Sequence, residues 1–214
     1  MSSHTRLRGI IFDLDGTLVD SKLDFEKMRS DIGVPPGQGI LEHIDALPTA
    51  ADRTEAHAIL RKHEMAGAHA ATLIPGVNEL LEKIAHLGLK KAVFTRNDAA
   101  PTRLVIERFF QGQFTSVITR EDAPAKPDPT GLLRICDSWH CGPDHTIYVG
   151  DYLFDLEAAE RAQMKSILYL GGEPPGVSDP VYATRANYVA RDFTHLHENL
   201  IQVLSENLGF IVYD

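Results

Sequence analysis

Gly9-Ile10-Ile11-Phe12-Asp13-Leu14-Asp15-Gly16-Thr17-Leu18-Val19-Asp20 is the stretch on which the fold turns. A small and three apolar residues run without alternation into two carboxylates. A run with no polar face predicts a strand covered on both sides, as at the centre of a parallel sheet. In extended chain, residues i and i+2 point the same way, so Asp13 and Asp15 face one site. Gly16 then allows a tight turn. Open α/β sheets form their ligand sites outside the carboxyl ends of strands, where this pair sits. Plain capping by two surface aspartates is the weaker reading.

Outward from this strand, apolar segments rich in β-branched and aromatic residues recur at residues 91–95, 116–119, 146–150, 166–170 and 187–190. Helical periodicity fills residues 77–87, 101–110, 129–139, 154–163 and 194–207, with Asp192 placed to cap the last of these. Strand–helix alternation predicts an α/β fold, a doubly wound parallel sheet with right-handed crossovers. Residues 21–74 break the rhythm. They hold no convincing strand, a short amphipathic face (Leu23, Phe25, Met28, Ile32), an Ala-rich helix over 50–70, and Pro/Gly punctuation at Pro35-Pro36-Gly37-Gln38-Gly39, Pro48 and Pro75-Gly76. The expected organisation is a Rossmann-like core of residues 1–20 and 75–214 with an inserted helical cap of residues 21–74.

Composition narrows the classes. The 214 residues are 43% hydrophobic and 24% charged, which excludes disordered and fibrous chains. A net charge of −9 argues against nucleic acid or an anionic membrane as a broad partner, since both are held by Lys and Arg. The opening residues, from Met1 to Arg8, lead into too short an apolar run for a leader peptide, and nothing approaches the ~18 apolar residues of a membrane span. Cys136 and Cys141 do not make a disulfide framework. The expectation is a cytoplasmic protein, monomer or dimer.

Three further polar clusters follow apolar segments. In Val93-Phe94-Thr95-Arg96-Asn97, Thr95 can offer a hydroxyl and a backbone N–H to an anion, and Arg96 and Asn97 are candidates for substrate contact. In Pro124-Ala125-Lys126-Pro127-Asp128-Pro129, stiff backbone pins a lysine. Tyr148-Val149-Gly150-Asp151-Tyr152-Leu153-Phe154-Asp155 again ends a strand in carboxylates, although Asp155 alone reads as a favourable acid in a helix's first turn. Taken singly, the Thr95 and Lys126 clusters are ordinary loop chemistry. Taken together, three strands bring Asp13, Asp15, Thr95, Asp151 and Asp155 to one edge. Clustered carboxylates repel unless a cation joins them, and hard oxygen ligands select Mg²⁺, which prefers one or two carboxylates plus a substrate phosphate. Lys126 would supply the remaining positive charge.

These four clusters, in this order, resemble the haloacid dehalogenase-like hydrolase superfamily, and the small helical insertion after the first motif resembles its phosphoglycolate-phosphatase-like branch. The resemblance implies Mg²⁺-dependent hydrolysis of a small phosphorylated metabolite. It makes Asp13 the nucleophile that forms an aspartyl-phosphate, and Asp15 the acid that protonates the leaving alcohol and then activates water. It assigns Mg²⁺ to the Asp13 carboxylate, the Asp15 carbonyl and Asp151, with Asp155 binding directly or through water, phosphoryl contact to Thr95, and charge compensation to Lys126. Dehalogenating relatives lack the second acid, so Asp15 favours phosphoryl transfer. A phosphosugar mutase shares every one of these core residues and is the nearest rival; a receiver-type phosphoacceptor fits less well, given the insertion, and a non-catalytic binding protein would not need the full set.

Other motifs are fragmentary. Gly37-Gln38-Gly39 lacks a third glycine and a preceding strand, and His63-Glu64 and His197-Glu198 lack the second histidine of a metalloprotease helix. Cys136, His140, Cys141 and His145 have zinc-like residue types, but helix end and loop packing explain them equally well.

Overall fold

The computed structural model describes residues 5–171 and 179–212. Residues 1–4, part of the opening stretch read for a leader peptide, lie outside them. The chain runs β1 (Thr5–Arg6), β2 (Gly9–Phe12), β3 (Val19–Asp20), α1 (Phe25–Ile32), α2 (Ile40–Asp45), α3 (Ala50–Ala70) and β4 (Thr72–Leu73). It continues through α4 (Val77–His86), β5 (Lys90–Phe94), α5 (Ala99–Phe109), β6 (Ser116–Ile118), α6 (Thr130–Trp139), β7 (Thr146–Gly150), α7 (Leu153–Arg161) and β8 (Lys165–Tyr169). Last come β9 (Tyr188–Ala190), α8 (Phe193–Glu198), α9 (Leu200–Gln202) and β10 (Phe210–Ile211).

Six strands form one parallel sheet in the order β6-β5-β2-β7-β8-β9. Side-chain alternation along β2 explains why its sequence is apolar throughout. Ile10 and Phe12 enter the core shared with Val77, Leu80 and Ile84 of α4, while Ile11 enters the opposite core with Leu132, Ile135 and Trp139 of α6. Phe12 pairs with Val93 of β5 and with Val149 of β7, so these three strands end level with one another. Strand order reverses at β2, which puts the crevice of a doubly wound sheet at that level edge.

The insertion leaves and returns through a two-stranded neck. β3 and β4 pair antiparallel, Asp20 opposite Thr72, a strand that the helical reading of residues 21–74 did not anticipate. Between them α1, α2 and α3 enclose a small core of their own, Met28, Leu41, Ile44, Ala56 and Leu60. Asp24 caps α1 by accepting from Lys27 N–H, and Thr49 caps α3 by accepting from Asp52 N–H. The single helix expected over 194–207 is broken: α8 stops at Glu198, α9 follows, and residues Val203–Asn207 widen into a π turn. Asp192 does cap α8, through Thr194 and His195 N–H.

Candidate active site

The loop after β2 is closed on itself. Gly16 N–H donates to Val19 O, and Leu18 and Val19 N–H both donate to Leu14 O. Gly16 sits at φ +82°, and a Cβ there would stand 2.2 Å from Asp151 Oδ2, so the close approach of this loop to the β7 loop requires glycine. Gly150 plays the same part beneath Asp155, whose Cγ would lie 2.3 Å from an added Cβ.

Asp13, Asp151 and Asp155 each present a carboxylate oxygen, all within 4.8 Å of one another. Lys126 is buried among them, its Nζ 2.6 Å from Asp13 Oδ1 and 2.7 Å from Asp155 Oδ1. Burial pulls the ammonium down, yet Asp13 and Asp155 together outweigh it and hold Lys126 above its ordinary pKa. Burial pushes the Asp13 carboxyl up to about 7, against Lys126 and with Asp155 adding to the rise. Asp151 is raised well above the carboxylate range, by burial and then by Asp13 and Asp155. One ammonium does not compensate three carboxylates, so the donor set fits a divalent cation: three hard oxygens, converging, those of Asp13 and Asp155 on buried residues and that of Asp151 half-buried, and short of positive charge.

Two groups that sequence reasoning missed complete this cluster. Tyr148 Oη accepts from Lys126 Nζ at 2.9 Å and lies 3.0 Å from both Asp155 Oδ1 and Phe94 O, with one proton to give. Thr17 donates to Asp151 Oδ1 at 3.2 Å. The signal for Tyr148 was a tyrosine in a fully buried strand, whose hydroxyl must find a partner.

The remaining expected residues are distributed unevenly. Asp15 is bridged from Asn97 Nδ2 at 2.6 Å, and burial raises its carboxyl against a hydrogen bond from Ser21 and the Lys126 charge. Thr95 N–H is spent on Ile118 O, and its Oγ1 accepts from Asn97 N–H. Of the two groups expected to meet an anion at Thr95, only the hydroxyl proton is left. Arg96 is not an open cation. Its Nη2 bridges Glu42 of α2 at 2.8 and 2.9 Å, its Nη1 donates to Lys126 O, and its guanidinium stacks 4.3 Å over Phe154. Two surface depressions of about 410 and 350 Å³ lie elsewhere, around Lys83 and His197 and around Gln163 and Arg185.

An aspartate pair at the end of the sheet's central strand, with two more acids and a buried lysine, gathers nucleophilic, acid–base and cation-binding groups at the sheet's carboxyl edge. The sequence pattern of the haloacid dehalogenase-like hydrolases matches residues 26–169, and the chain belongs to that family. It is similar to an uncharacterized hydrolase of Saccharomyces cerevisiae, 28% identical over 96% of this chain and 89% of that one. It is likewise similar to a phosphoglycolate phosphatase of Xanthomonas campestris, 28% identical over 81% of this chain and 88% of that one, in line with the branch that the motifs resemble. A solved hydrolase from Pseudomonas syringae superposes with a TM-score of 0.73 at 22% identity, covering 92% of this chain and 99% of that one, and has the same fold. Among the described residues no helix is long and apolar enough to cross a membrane.

Proposed function

We propose that the chain is a Mg²⁺-dependent phosphatase that hydrolyses a small phosphomonoester through an aspartyl-phosphate on Asp13. The observation that carries the reading is the Asp13 carboxylate, 2.6 Å from a buried ammonium and within 4.8 Å of two further acids, with a second, separately held carboxylate two residues on at Asp15. Phosphatase relatives at similar chain length support it.

Asp13 attacks phosphorus, and the bond to the leaving oxygen breaks as Asp15 delivers a proton to it. Asp15 then takes a proton from water as the water oxygen attacks the same phosphorus and releases Asp13. Asn97 keeps Asp15 aimed at that proton path. The Thr95 hydroxyl donates to a phosphoryl oxygen, and Lys126 offsets the charge gathering around Asp13. Asp13, Asp151, Asp155 and the Asp15 carbonyl would hold Mg²⁺, which when bound neutralises charge on the phosphoryl group. Asp155 also keeps Lys126 in place, through Oδ1, while its Oδ2 takes Tyr152 N–H. We read residues 21–74 as the cap and residues 1–20 and 75–214 as the core; the β3–β4 neck and the separate core of the insertion support that division. Free Cys136 and Cys141 suit a cytoplasmic setting.

The test is a panel of phosphorylated metabolites assayed for released phosphate with MgCl₂ and with EDTA. Hydrolysis by the wild type, abolished by EDTA and by Asp13→Asn, is the expected outcome. Phosphate release that survives either treatment overturns the mechanism.

A further inference from the structure

Arg120 lies just after β6, outside every motif that carries the catalytic reading. Its backbone N–H donates to Asn97 O at 3.2 Å, and its Nη1 donates to Arg96 O at 2.9 Å. One residue therefore grips two successive carbonyls of the turn that runs from Thr95 to Asp98. The guanidinium is itself fixed by Glu64 of α3, Nη1 to Oε1 at 2.5 Å and Nη2 to Oε2 at 2.9 Å, and by Asp98 Oδ2 at 3.3 Å. Asp98 takes a further bond from Arg61 Nε at 2.7 Å, also from α3. Two arginines and two acids thus link the insertion to the core, and Glu121 joins them through Arg61 at 3.7 Å. The side chains of Arg120, Glu64 and Asp98 are 9%, 4% and 6% exposed.

Stability does not account for this arrangement, because a buried ion-pair network is commonly no more stabilising than apolar residues of the same volume. What the arrangement does fix is direction. The turn it holds carries Asn97, whose Nδ2 donates to Asp15 Oδ2 at 2.6 Å. Only an arginine fork can pair with Glu64 at two nitrogens and still spend an N–H on a carbonyl.

We propose that Arg120, backed by Glu64 of the insertion, is a positioning residue for the acid–base step: it fixes the Arg96–Asn97 carbonyls so that Asn97 holds Asp15 on the line to the leaving oxygen. The proposal rests on Asp15 serving as the proton donor.

The experiment compares kcat/KM of the full chain with saturating MgCl₂ for two probes, glycerol 2-phosphate and p-nitrophenyl phosphate. An alkoxide must be protonated as it leaves, whereas nitrophenolate departs without help, so only the first probe reports on the acid. Arg120→Gln is expected to lower kcat/KM for glycerol 2-phosphate about 10²-fold, the cost of roughly an ångström of misplacement, and to cost the aryl ester far less. Glu64→Gln and Arg120→Lys, which keep side-chain volume, should show the same selectivity more weakly. In an Asn97→Ala background, Arg120→Gln should add no further selective loss. Equal losses on both probes, or additive effects with Asn97→Ala, would reduce Arg120 to a packing role and overturn the proposal. Should Arg120→Gln fail to fold, Glu64→Gln and Arg120→Lys decide the matter by the same ratio. A wild type inactive on both probes would instead remove the phosphatase reading and this proposal with it, whereas an active wild type with unselective variants removes this proposal alone.

Discussion

Asp155 carries two duties that a sequence cannot separate. Its Oδ2 accepts Tyr152 N–H at the start of α7, the bland capping role, while Oδ1 holds Lys126 beside Asp13. Arg96 was legible only as a cation beside Thr95; its neutralisation by Glu42, 54 positions away on α2, depends on how the insertion folds back. Gly16 shows how strictly this edge is packed. Gly16→Ala would place a Cβ 2.2 Å from Asp151 Oδ2 and hold an L residue at φ +82°. The backbone strain costs about 1–2 kcal/mol. Displacing Asp151 should cost far more in function than in stability: Mg²⁺ affinity by isothermal titration should weaken, and hydrolysis should fall on the order of 10²-fold while the folded state persists. Unchanged Mg²⁺ affinity would show that Asp151 is not a ligand.

At the scale of elements, α3 ties the insertion to the core. Its carboxyl-terminal half lies along α5, where Arg108 Nη1 donates to His69 O at 3.0 Å, and its buried Gly67 lies against the chain leaving the neck. An added Cβ at Gly67 would stand 2.6 Å from Leu23 Cδ2 and 2.9 Å from Ser21 O. Gly67→Ala should therefore destabilise the chain by about 1–3 kcal/mol through overpacking, despite the better helix propensity of alanine. Because Ser21 also bonds Asp15, catalysis should fall with it; a thermal melt of raised midpoint with intact activity would show that the neck yields freely. Long α3 was readable from its sequence to the residue, since its length of 21 positions and its alanine content agree. Short α2 was not: six residues after Gly39, with no side-chain cap and only Leu41 and Ile44 buried, leave too little periodicity to see. Two-residue strands such as β3 and β4 are likewise set by their partners across the neck, not by local pattern. Most of the six main strands were legible because they are apolar beyond what an exposed strand tolerates, and the acids after β2 and β7 were legible because polar residues there interrupt that run.

Across the whole molecule, the acidic cluster should set an unusual dependence of stability on pH. Asp13, Asp15 and Asp151 all have carboxyls raised above their ordinary value of 3.8 in the fold, Asp13 to about 7, with burial the leading cause in each. A raised acid means that the folded state holds more protons than the unfolded state between the two pKa values. Stability from these groups is then complete below about pH 4 and is lost as pH rises towards 7, the reverse of a salt-bridged carboxylate. Lys126, raised above 10.5, stays charged throughout that window and does not alter the sign. His57 opposes the trend, since burial lowers its pKa and makes acid unfavourable to the fold. The difference between wild type and Asp151→Asn cancels that contribution and isolates what Asp151 adds to the cluster. In EDTA, the thermal midpoint of the wild type should fall relative to Asp151→Asn as pH goes from 5 to 7.5, by about 2–4 °C for each kcal/mol lost in a chain of this size. Saturating MgCl₂ should erase that fall, because the cation replaces protons among the same oxygens and binds only the folded state. A wild-type midpoint that rises relative to the variant in EDTA, or that ignores Mg²⁺ at pH 7.5, would mean that the carboxylates are compensated by Lys126 alone and that the cluster is not a cation site.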